Sequence, residues 1–180
     1  MKSSKSSLFL MEMIIAILFF SLASAVCIQL FVKSHLLGKT TTEENKALLM
    51  CQNFSEIYLS ILPEYYGDSS EKLKEYFLSL PKTDSSFAGI TDSTKWYSDT
   101  FAKESEFTLS LFFNEDWNPA TEDNCCYQVL FIFHGYNSET AVSSASTYAY
   151  RVTQADYSTN SQYDEIYHLD ICKHVPERMP

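Results

Sequence analysis

Apolar residues follow three different rhythms along this chain. From Leu8 to Val32, LFLMEMIIAILFFSLASAVCIQLFV, they form a run of 25 residues that carries a single charge, Glu12. A helix of that length reaches about 37 Å, more than the roughly 30 Å of a hydrocarbon core, so the run predicts a membrane-crossing helix. Next, Gly38 within His35–Lys39 predicts a helix end or bend, and Thr41 with Glu44 three residues later has the spacing of a capping box that restarts a helix. Ala47, Cys51, Phe54, Tyr58 and Ile61 then recur three or four apart, which predicts an amphipathic helix over about 42–62, stopped by Pro63. Glu71–Leu80 places Leu73, Tyr76, Phe77 and Leu80 on one face, a short second helix that ends at Pro81.

Residues 82–103 show no clear period and read as loop with one short strand or helical turn. From Glu106 the period becomes two. Phe107, Leu109, Leu111 and Phe113 alternate with Thr108 and Ser110, a half-buried strand over about 106–113. Asn114–Asn124 is an acidic, turn-rich loop, and 125–134, CCYQVLFIFH, is apolar on nearly both faces, a central strand closed by Gly135. Strands over 146–154 and 163–173 follow, the last alternating Ile166, His168, Asp170 and Cys172 against Tyr167, Leu169 and Ile171. The expected fold is α+β, with a long N-terminal helix continuing into an amphipathic helix packed on a four-stranded antiparallel meander. The chain divides into a leader, 1–7, a transmembrane helix, 8–37, and one exterior domain, 38–180.

Glu12 is the fifth residue of the apolar run, where an unpartnered carboxylate costs about 3 kcal/mol on insertion scales and marks a group with a task. Before the run stands MKSSKSS, a short basic leader that ends in the small residue Ser7. This arrangement resembles the N-terminus of type IV pilins and of the pseudopilins of type II secretion. In that family a prepilin peptidase cuts after the small residue, usually glycine, and exposes an N-methylated residue, usually phenylalanine, with a glutamate at the fifth mature position. Mapped here, Ser7 ends the leader, Leu8 becomes the N-terminus and Glu12 is that glutamate. Serine and leucine stand where the family usually has glycine and phenylalanine. The resemblance implies membrane insertion, assembly with other pilin-like subunits into a pilus or a secretion or competence pseudopilus, and pairing of Glu12 with the Leu8 amine of a neighbour. Physically, such a pair lets a buried acid stay charged and fixes register.

Other readings compete. Glu12 could be protonated or reach interfacial water and have no role. The protein could be a non-polymerising single-pass anchor with an exterior binding domain. Ala23-Ser24-Ala25 also matches the A-x-A form of a signal-peptide cleavage site, which would release a secreted domain beginning at Val26.

Charge sharpens the picture. Beyond Lys33 the chain holds 22 acids against 10 bases, which speaks against contact with nucleic acid. Lys2 and Lys5 precede the run with no acid near them, favouring a cytoplasmic N-terminus and an extracytoplasmic C-terminal domain. Cys27 lies in the run, leaving Cys51, Cys125, Cys126 and Cys172 outside it, with a bridge from Cys125 or Cys126 to Cys172 as a candidate and free buried thiols as the alternative. The best set for zinc is His134, His168, Cys172 and His174 with Cys125 or Cys126, but His168 and Cys172 stand about 13 Å apart on an extended strand and do not share one ion unless the strand bends. The 114–124 loop is rich in oxygen ligands but lacks the spacing of a calcium loop. No cofactor motif, phosphate loop, nucleophile elbow or small-molecule site is present in the sequence, and the chain does not read as an enzyme.

Overall fold

The computed structural model describes residues 4–61, 70–92, 105–152 and 163–175. The chain falls into two units, Met1–Thr42 and Glu43–Pro180. One helix, α1 (Ser4–Ile61), supplies the first unit and opens the second. Of the expected leader, residues 1–3 lie outside the described residues and residues 4–7 begin α1.

From Leu8 to Thr42 the side chains are exposed, except Ser24, which is half-buried. This stretch is long and apolar enough to cross a membrane. Two of its hydroxyls are satisfied within the helix: Ser21 donates to the Ile17 carbonyl at 2.8 Å and Ser24 to that of Phe20 at 2.9 Å. The helix end expected near Gly38, and the capped restart after it, are absent. Thr40 donates instead to the Leu36 carbonyl and Thr42 to that of Gly38, at 3.2 and 2.9 Å, so these hydroxyls lean back on a continuous helix. A single glycine costs a helix only about 1 kcal/mol, which the flanking turns absorb.

In the second unit, Ala47, Cys51, Phe54, Tyr58 and Ile61 are buried along one face of α1, as their spacing predicts. Residue 62, where this helix was expected to end, lies outside the described residues. A short helix, α2 (Ser70–Ser79), buries Leu73 and Phe77, and Leu80 follows in a 3-10 turn. The sheet is an antiparallel meander of five strands in chain order: β1 (Thr91–Asp92), β2 (Phe107–Phe113), β3 (Tyr127–Asn137), β4 (Val142–Val152) and β5 (Tyr163–His174). The fifth strand, β1, is a short strand within the stretch read as loop with one short strand or helical turn, where Thr91 and Asp92 pair with Ser110 and Leu109.

Phe131 of β3 lies at the centre of the core. Its ring stands 5.7 Å from Phe54 and 5.6 Å from Tyr58 of α1, 4.7 Å from Phe77 of α2 and 6.2 Å from Phe107 of β2. Helices and sheet thus meet on one aromatic cluster.

Four strand expectations need correction. β2 is not half-buried: Thr108 and Ser110 are as buried as the apolar residues between them, so both faces of this strand are covered. β3 does not close at Gly135. That glycine, at φ 106°, carries a bulge, and the strand continues to Asn137. β4 starts at Val142, earlier than expected, because a tight turn through Ala141 at φ 53° returns the chain directly from β3. The last two residues of its expected range, 153 and 154, lie outside the described residues. In β5 a second bulge takes Ile166 out of alternation, so Ile166 and Tyr167 both pack against the core.

Because Phe131 touches two helices and a neighbouring strand, Phe131→Ala should cost about 3–5 kcal/mol. Denaturant unfolding followed by near-UV circular dichroism checks this. A loss below about 1 kcal/mol would show that the cluster is not the core's keystone.

Candidate functional site

The residues singled out for processing and assembly sit at the start of α1. Leu8 is 68 % exposed, and Glu12, one turn further on, is exposed with no hydrogen bond or ion pair to any described residue. Ser7 lies in the helix, and its side chain falls outside the described residues. The cleavage expected after Ser7 would place an ammonium at Leu8, one helical turn from the Glu12 carboxylate.

A second constellation holds α1 to the sheet. Glu43, 5 % exposed, accepts from the Tyr127 hydroxyl at 2.8 Å through Oε1 and from Arg151 Nη2 through Oε2. Tyr127 in turn stacks on Trp117 at 4.3 Å. Burial, reinforced by the neighbouring carboxylate, pushes the Tyr127 phenol up to about 12. The hydrogen bond to Glu43 raises Arg151, keeping the guanidinium charged. Farther along α1, Tyr58 and Ser143 share a hydrogen bond of 2.6 Å, and Lys173 Nζ donates to the Leu59 carbonyl at 2.7 Å near the helix end. These ties set α1 along β4 in the opposite direction, Glu43 at Arg151 and Tyr58 at Ser143. Sequence reasoning missed Glu43. The signal was available, because position 43 lies four residues before Ala47, on the same stripe.

The Trp117 anchor also orders the acidic loop. Asn114 Oδ1 accepts the backbone amides of Asp116 and Asn118 at 3.0 and 2.9 Å, and Trp117 turns inward at φ 62° onto Phe113 and Tyr127.

The sheet face opposite α1 carries a hydrogen-bonded chain across three strands. Ser146 donates to Asp170 Oδ1 at 2.8 Å, so its Oγ accepts from His134 Nε2, also at 2.8 Å. In a nucleophile triad histidine stands between serine and acid. Here the buried serine stands in the middle and points its proton at a carboxylate, an arrangement that braces strands and does not activate a nucleophile. Beside it His168 stacks on Tyr148 and pairs with Glu165 at 2.7 Å.

The candidate disulfide is not formed. All five cysteines are free thiols. Cys172 is aligned through Ser144 with Gly135, whereas Cys125 and Cys126 precede Tyr127 at the other end of β3, a separation of about 26 Å at strand rise. Cys51, on the buried face of α1, is raised to about 11 by burial, with the Thr147 hydroxyl opposing. Among the described residues no group of three His, Cys, Asp or Glu side chains is disposed to hold a metal ion.

Arg151→Ala leaves the Glu43 carboxylate buried without its cation. Such losses reach about 3–5 kcal/mol for fully buried pairs, and the 43 % exposure of the Arg151 side chain brings the expected cost to about 2 kcal/mol, measured by denaturant unfolding. A second outcome follows from Tyr58 and Tyr127, both held near 12 by burial against an ordinary value of 10. A folded-state pKa above the unfolded one gives stability that is complete below pH 10 and lost as pH rises to about 12. Burial raises Tyr148 and Tyr150 as well, so ultraviolet titration of tyrosinate should show at least four late-ionising tyrosines, with the steps of Tyr58 and Tyr127 coinciding with unfolding.

The geometry has to carry the functional reading, because no family model, curated protein or solved structure matches this chain.

Proposed function

We propose that this protein is a pilin-like or pseudopilin-like subunit, anchored in a membrane by the first part of α1 and assembling laterally with other subunits. One observation carries the reading: Glu12, an exposed carboxylate without a partner among the described residues, stands in an exposed apolar helix five residues after Ser7. A carboxylate at that depth gains most from a cation brought by another molecule. The Leu8 amine of a neighbouring subunit, freed by a prepilin peptidase, would supply it. In this reading the short N-terminus is cytoplasmic and the acidic α+β unit is extracytoplasmic, presenting contacts to other subunits or cargo.

The N-terminal peptide of protein isolated from its native membrane should begin at Leu8 and carry a methyl group on its amine, as read by mass spectrometry. Beginning at Met1 it would be an uncleaved anchor, and beginning at Val26 a secreted domain. Glu12→Ala should insert normally and lose assembly, scored by cross-linking in membranes. Unchanged cross-linking would overturn the assembly role.

A further inference from the structure

We propose that Lys33 and Lys39, with His35 between them, form a basic collar that binds the phosphate groups of anionic phospholipids at the outer rim of the apolar segment. This inference rests on the membrane reading above and adds a ligand class that the reading does not contain.

The first argument is charge placement. Of the chain's 13 basic residues, Lys2, Lys5, Lys33 and Lys39 flank the apolar run, and Glu12 is the one acid among the first 39 residues. After Lys39 the chain turns strongly acidic, 22 acids against nine bases. An anionic surface repels such a unit. The collar supplies local attraction where the chain leaves the lipid.

Spacing is the second. Lys33 directly follows Val32, the last residue of the run, and Lys33, His35 and Lys39 are all exposed on α1. Between them stand Leu36 and Leu37, exposed by 58 % and 68 %. Six residues of helix place the two lysines about 9 Å apart along the axis, close to the roughly 5–8 Å depth of one headgroup layer. Lys33 can snorkel outward, and Lys39, exposed six residues further on, stands within side-chain reach of the same headgroup layer. His35 and Lys39 are four apart and share a side of the helix, with Lys33 on another, so the collar reaches separate phosphates.

The test uses the full chain reconstituted in vesicles of phosphatidylcholine alone or mixed with phosphatidylglycerol. Flotation reports insertion, and electron paramagnetic resonance of spin-labelled lipids reports which headgroup lingers at the protein. Wild type should float with both vesicles and prefer phosphatidylglycerol. K33Q/K39Q should float equally and lose about fivefold of that preference per lysine, and K33R/K39R should keep it. Equal flotation with an unchanged preference in K33Q/K39Q overturns the collar and leaves the membrane reading standing. Failure of wild type to float overturns both.

Discussion

The carboxylate of Glu43 is the point on which the second unit turns. A charge 5 % exposed is tolerated only where its oxygens are occupied, and here each has its own donor, Tyr127 from β3 and Arg151 from β4. The contact therefore specifies as much as it stabilises. Sliding α1 by one residue would turn Glu43 away from both donors and lift Ala47, Cys51, Phe54 and Tyr58 off the sheet together. Apolar packing alone would tolerate several helix positions, whereas a buried acid with two assigned partners tolerates one. Trp117 extends the constraint to the loop between β2 and β3, because its ring lies against the same Tyr127 that serves Glu43.

Polar groups on the sheet's other face follow a looser rule. His134, Ser146 and Asp170 link β3, β4 and β5, strands whose backbones are already paired, so this chain reinforces a register set by the ladder. The Thr108 hydroxyl, fully buried, has no hydrogen-bond partner among the described residues, and such a group costs about 1–3 kcal/mol. Threonine there keeps the β-branched shape that suits a strand, which offsets part of that cost.

Much of this fold was legible because its rhythms are local. The stripe from Ala47 to Ile61 states the buried face of α1 directly, and the two-sided apolar content of β3 marks it as a central strand. Glu43 continues the same stripe, but a charged residue does not register as core until its partners, about 84 and 108 positions away, are placed. Gly135 reads as a terminator, since glycine weakens strands, while its left-handed freedom is what lets β3 bulge and continue. Thr108 and Ser110 look like a solvent face because alternation reports side-chain type and not what covers it. The bridge entertained for Cys172 failed on register, which no count of cysteines contains.

Glu12 and Glu43 lie on the same helix and meet opposite circumstances. Glu43 is provided for by its own chain. In the apolar segment Ser21 and Ser24 are likewise satisfied, each by a carbonyl one turn earlier. Glu12 receives nothing comparable from any described residue. Water would meet its needs in a soluble protein at no cost, but the residues around it, from Leu8 to Leu18, are apolar and exposed, so water is not the environment this stretch favours. A carboxylate that neither its fold nor its preferred surroundings stabilise gains most from a cation on another molecule, and that is the physical basis of the proposal that Glu12 is an assembly contact.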